Sequence, residues 1–169
     1  MLRPPVLEDA PCVAEAIADV EVMRFIGLGE TGTLADAVEV VQTMRRAWSA
    51  DGFGGFIAIR KSDNAPLGRV GLLAWDQAIW RSGIRAEIGE RAEIELGWTL
   101  SRDAWGCGYA TEAAAAIRDW ALREVRPPRL ISLIHPENER SMRVATKIGE
   151  HFEQTITTHR GIPAQLWTF

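Results

Sequence analysis

Residues 101–113 read SRDAWGCGYATEA. They follow an alternating run, AEIELGWTL at 92–100, and lead into an alanine-rich run. Gly106, Gly108 and Ala110 are small, and the chain's one tyrosine, Tyr109, stands among them. The first turn of a helix leaves backbone N–H groups without intrahelical acceptors and carries partial positive charge, so it binds phosphate. Small side chains allow close approach, and glycine permits the dihedrals that such a loop needs. The same residues also suit a tight strand-to-helix turn with glycines for geometry alone. Two other phosphate loops do not fit. The dinucleotide fingerprint wants GxGxxG after an early strand and an acidic residue about 20 positions on. A Walker loop wants GK[ST], which is absent.

Working outward, Ile94, Leu96, Trp98 and Leu100 share one face of the preceding strand, and Glu93, Glu95, Gly97 and Thr99 share the other. After the loop, Ala110, Ala113, Ala114, Ile117 and Ala121 mark a helix whose narrow face can lie close to a sheet. RLISLIH then reads as a strand, and Asn138 opens a helix that Gly149 closes. The tail reads as two strands around a turn at His159–Pro163. Toward the start, Pro4 and Pro5 confine a short strand at 2–6 to an edge. A helix is expected from about Asp9, with Pro11 in its first turn. The next helix opens on a Thr33–Asp36 capping box, with Leu34, Ala37, Val38, Val41, Met44 and Trp48 on one face. FGGFIAIRK and LGRVGLLAW form a hairpin around SDNAP. Residues 76–91 show no period and are expected to be a surface loop, of the kind that often carries function.

The 169 residues fit one domain. The formal net charge of −4 disfavours non-specific binding to nucleic acid or anionic membrane, which draws on excess Lys and Arg. Cys12 and Cys107 have no metal-like spacing, so a reducing compartment and no metal are expected. The start shows no signal-peptide pattern, and nothing approaches a membrane span, which points to a cytoplasmic protein.

The loop resembles motif A of the GNAT acyl-CoA N-acetyltransferases, Arg/Gln-x-x-Gly-x-Gly/Ala at the start of a helix. Gly108 and Ala110 match its last two positions, and Trp105 stands in its first. The sequence is similar to the RimJ/RimL branch over nearly its whole length: LEDA, EVMRFIG, LGRVGLL, IELGWTL and HPENERSMRVATKIG occur in that branch's order. The first strand is short for the branch, which implies a truncated start. The resemblance implies a single α/β domain at 1–169 with a mixed, mostly antiparallel sheet. That sheet would splay between the strand at 92–100 and the strand at 129–135 and be flanked by four helices. It implies acetyl-CoA as cosubstrate, an amine as acceptor, no membrane or nucleic-acid partner, and a homodimer.

By the same resemblance, Trp98 and Leu100 supply backbone groups to the pantetheine arm. The amides of Gly106, Cys107, Gly108, Tyr109, Ala110 and Thr111 face the pyrophosphate, while the Tyr109 ring packs. Cys107 stands where a basic residue is frequent in the branch and is read as a tolerated small residue. Asn138 hydrogen-bonds the pantetheine, caps its helix, or does both. Arg140, Arg143 and Lys147 share a helix face and meet the CoA phosphates or form a solvated stripe.

Transfer needs a neutral amine, hence a base. Glu95 is the first candidate, through water, and Glu93 the second; both also read as ordinary strand carboxylates. His135 is a further candidate that more often would be structural. Many GNAT members carry a tyrosine acid seven residues after the asparagine. Here that position is Ala145, so Ser141 is the remaining group near the CoA sulfur. The Trp98 amide is expected to polarise the thioester carbonyl. The 85–95 segment, with four glutamates and two arginines, forms an acidic lip for a cationic amine or merely a soluble loop. The competing class is a non-catalytic acyl-CoA-binding or regulatory module of the same fold.

Overall fold

The computed structural model describes residues 1–169. Eight strands form one sheet. In chain order they are β1 (Leu2–Arg3), β2 (Gly55–Ile59), β3 (Pro66–Asp76), β4 (Arg81–Gly83), β5 (Ala92–Leu100), β6 (Leu130–Ile134), β7 (His151–Thr157) and β8 (Pro163–Thr168). Their spatial order is β1-β2-β3-β5-β6-β8-β7, with β4 paired to the far end of β3. Every pairing is antiparallel except β5 with β6. That parallel pairing runs only through Ile94–Leu130 and Glu95–Ile131. Beyond Glu95 the two strands part, so the splay expected between them is present.

One hydroxyl pins the point where they part. Ser132 Oγ donates to the Leu96 carbonyl at 2.7 Å. The Leu96 backbone therefore faces β6, and by the two-residue alternation of a strand those of Trp98 and Leu100 do so too. The Leu100 carbonyl is taken by the Trp105 indole Nε1–H at 2.9 Å. The Trp98 backbone is left facing the open wedge.

Four helices of two turns or more flank the sheet: α1 (Ala10–Ala18), α3 (Leu34–Asp51), α5 (Tyr109–Trp120) and α6 (Glu139–Lys147). Single turns, α2 (Val20–Met23) and α4 (Arg85–Ile88), supplement them. Ala113, Ala114 and Ile117 bury α5, and Ala121 the turn that follows it, against Val70, Leu72, Ile94 and Leu96 of the central strands. The opposite face is covered by α1 and α3, where Val13, Ile17, Ala37, Val41 and Met44 pack on Ile57 and Ile59. The Thr33–Asp36 capping box forms as read, and Gly52 ends α3 in the left-handed region at φ +72°. Leu34 differs from expectation: it is exposed.

Residues 76–91 also differ. They contain β4, α4 and a 3-10 turn rather than plain loop. Trp75 and Asp76 pair with Ser82 and Arg81, and Asp51 at the end of α3 accepts from the amides of Arg85 and Ala86. These long-range bonds hold a segment whose own sequence has no period.

Candidate active site

Two clefts open from the splayed strands. The first, of about 880 Å³, lies over the start of α5 and along α6. Gly106 and Gly108 adopt φ of +74° and +84°, and a Cβ on either would meet no atom within 4 Å. Glu112 N–H bonds the Gly108 carbonyl and is the first amide of α5 to find an acceptor. The amides from Gly106 to Thr111 make no hydrogen bond within the protein. Such a turn can hold an anion. Arg140, Arg143 and Lys147 of α6 all line this cleft. The Arg140 guanidinium sits 4.5 Å from the centre of the Trp105 ring, and Arg143 pairs with Glu139 at 3.3 Å.

Trp98, Leu100, Trp105, Gly106, Gly108, Tyr109, Ala110, Thr111, Asn138 and Ser141, all singled out from the sequence, line the first cleft. Cys107 does not line it: the side chain is exposed, and its sulfur lies 3.5 Å from the Trp105 carbonyl. The Tyr109 ring packs against the main core cluster. Asn138 Oδ1 accepts from Ser141 N–H at 3.1 Å and caps α6, so its amide nitrogen is free to face the cleft.

The second cleft, of about 1080 Å³, lies between the sheet, α3, the 81–87 segment and the β7–β8 turn. Arg69, Leu73, Trp75, Glu95 and Gly97 form its floor. Trp75 Nε1–H donates to Glu95 Oε2 at 2.6 Å. Burial pushes the Glu95 carboxyl above the usual range, against smaller lowering effects of the Trp75 indole, the Leu133 amide and the Arg69 charge. Glu93, on the same strand face, lies outside both clefts and sits 3.8 Å from Arg129. This placement removes the second-choice base from the site: the strand carries Glu93 past the end of the cleft and against a cation. Of the glutamates expected to form a lip, Glu87 and Glu95 line the cleft. His135 lines it too, stacked on Phe25 with centroids 5.1 Å apart, and its Nδ1 accepts from Glu137 N–H at 3.2 Å.

The two clefts meet. Phe25, Ile26, Trp98, Thr99, Asn138 and Ser141 line both. A ligand seated over the α5 turn and one entering beside Glu95 would touch at this junction.

Residues 1–151 match the family model described as Acetyltransferase (GNAT) domain. The chain belongs to the GNAT acetyltransferase family. It is thus an acetyltransferase, with a GNAT fold built on its splayed sheet. A protein of Bacillus subtilis (strain 168), YkkB, is 41% identical over 70 residues. That match covers 41% of this chain and 41% of YkkB, less than half of either. The N-acetyltransferase YnaD of the same organism is 29% identical over 149 residues, which are 88% of this chain and 77% of YnaD. Among solved structures, the GNAT fold matches AAC(6')-Ib in complex with ribostamycin and coenzyme A. The TM-score is 0.77 at 20% identity, covering 99% of this chain and 91% of that one.

Some residues of this GNAT site escaped the sequence reading. Phe25 and Ile26, just after α2, line both clefts, a placement with no local sequence pattern. Trp75 and Arg69 carry a sequence signal: both are polar-tipped residues within the mostly apolar run LGRVGLLAW.

Proposed function

We propose that this protein is an acetyl-CoA-dependent N-acetyltransferase of RimJ/RimL-like type that moves an acetyl group directly to a primary amine. The meeting of the two clefts carries this reading. One side offers free amides and α6 cations; the other offers a half-buried carboxylate whose pKa is raised. Acetyl-CoA is the cosubstrate, and the residues fit it: unpaired amides suit a pyrophosphate, and the wedge beside Trp98 suits an extended arm. When bound it supplies an activated thioester.

The chain's own groups do the rest. Glu95 takes the proton from the incoming ammonium, directly or through water. Its raised pKa makes it a better match to an amine than an ordinary glutamate. Trp75 fixes the carboxylate in place. The outward-facing Trp98 amide is placed to donate to developing negative charge. Ser141, at the junction, is placed to donate a proton or hydrogen bond toward the departing sulfur. Asn138 orients the arm with its free amide nitrogen.

Thermal stability against acetyl-CoA, CoA, NAD and ATP tests the first half of this reading, and thiol release with an amine panel tests the second. A shift with acetyl-CoA and CoA plus thiol release with one amine class is the expected result. A shift with no release from any amine favours the non-catalytic acyl-CoA-binding module. No shift with acetyl-CoA sinks the reading at its base.

A further inference from the structure

The second cleft has four carboxylates and four guanidiniums in its lining. Asp36, Glu39 and Glu87 are exposed, as are Arg46, Arg81 and Arg160. Only Glu95 and Arg69 are half-buried. Both belong to the sheet floor and both face the cleft, Arg69 opposite Thr99 and Glu95 opposite Leu73. Between them the register places Gly71 opposite Gly97: the backbone of Gly54 and Gly55 covers Gly71, and the floor is open at Gly97. A Cβ on Gly97 would meet nothing closer than the Glu95 carboxylate at 3.7 Å.

The Arg69 guanidinium makes no hydrogen bond or ion pair to any protein group. Burial lowers its pKa, and Glu95 is the one charge that opposes this. Glu95 does not neutralise it: the two side chains are not within salt-bridge distance, and the carboxyl stays raised. A half-buried guanidinium on a cleft floor, with its donors unused by the protein, is available to a ligand's acceptors. Its planar fork suits a carboxylate, which it can hold through two parallel bonds.

We infer that Arg69 is the acceptor-reading residue of this site, and that the acceptor is a small zwitterion: an amine delivered to Glu95 whose own carboxylate is held by Arg69. The inference rests on the acetyltransferase reading above and narrows its substrate class. The four-residue offset along the strands, about 13 Å between backbones, is shortened at one end by the Glu95 carboxylate, which lies beside Gly97. Two long side chains account for most of that span, so the ligand that joins them is a compact amino carboxylate.

The test uses L-methionine, β-alanine and 4-aminobutanoate, each against its primary amide, in thiol-release kinetics with acetyl-CoA. Calorimetric titration of the same compounds in the presence of CoA runs beside it. The wild-type enzyme is expected to favour at least one carboxylate over its amide by about tenfold or more in kcat/KM, because the amide leaves the guanidinium without its charged partner. Arg69→Gln is expected to bring that ratio to about 1, and Arg69→Lys to restore part of it. A wild-type ratio near 1 overturns the inference, with no variant needed. So does a preference that Arg69→Gln leaves intact. Transfer to neutral amines without carboxylate preference leaves acetyl transfer standing and removes only the zwitterion. Carboxylate binding that depends on Arg69 without any thiol release does the reverse. Neither binding nor turnover of any carboxylate probe also overturns it.

Discussion

Glu150 shows how much one proton can weigh. It is 4% exposed, and its Oε2 has no partner. Ser132 Oγ lies 2.9 Å from Glu150 Oε1 and 2.7 Å from the Leu96 carbonyl. A hydroxyl has one proton. With that proton given to Leu96, the bond to Glu150 requires a protonated carboxyl. Burial pushes this carboxyl up to about 7. The folded chain therefore holds a proton that the unfolded chain releases near its ordinary value. Stability from this group is fully present below the ordinary carboxylate range and is lost as pH rises through about 7. Glu150→Gln, which mimics the protonated acid, is expected to flatten that loss and to stabilise the protein at pH 8 by roughly 3 kcal/mol. Urea unfolding at pH 5 and pH 8 checks this; equal slopes with pH in both proteins would contradict it.

Glu95 titrates in the same direction for a different use. As a base it must be ionised, so kcat/KM should rise with pH through a value above the usual glutamate range. Glu95→Gln should lower kcat by about 10²–10⁴-fold while the thermal shift with acetyl-CoA persists. Loss of that shift would mean that the residue is structural.

At the scale of elements, the decisive piece is the turn into α5. Gly106 and Gly108 hold positive φ, and open space surrounds a Cβ built on either. Gly108→Ala is therefore not a packing change. It adds backbone strain of about 1 kcal/mol and a methyl group beside the free amides. The expected result is a lower melting temperature and a higher KM for acetyl-CoA, with the KM for the amine little changed. Equal increases in both KM values would show that the turn shapes the junction rather than the phosphate site. The opposite edge of the wedge depends on Ser132. Ser132→Ala removes the bond that ties β6 to Leu96 and leaves Glu150 with no partner, a loss of about 1–3 kcal/mol. Chemical denaturation measures it.

At the scale of the molecule, the sheet is one body with a notch. Strands β3 and β5 pair along nine residues, while β5 and β6 pair along two. The notch joins clefts on two sides, and a ligand bound there links the halves of the sheet. Acetyl-CoA at about 100 times its Kd should add about 2.7 kcal/mol to unfolding. NAD and ATP lack the pantetheine arm and should add less. Equal stabilisation by ATP would mean that the α5 turn reads phosphate alone.

The local grammar of the chain was legible by itself. Alternation in AEIELGWTL, the Thr33–Asp36 box, the glycines at 106 and 108 and the small face of α5 each follow from side-chain size, spacing and backbone freedom, which are properties of neighbours in sequence. With the likeness to motif A they sufficed for the fold, for the splayed strands and for most of the α5 cleft. Residues 76–91 were misread because their order comes from Asp51 and β3, which are distant in sequence. Glu93 and Glu95 were indistinguishable as alternating carboxylates. Only the tertiary structure separated them, by placing Arg129 beside one and Trp75 beside the other. Arg69 was one more charge in a strand until the sheet register set it across a glycine floor from Glu95. Charge and solvation at a point depend on everything packed around it, and that is decided in three dimensions.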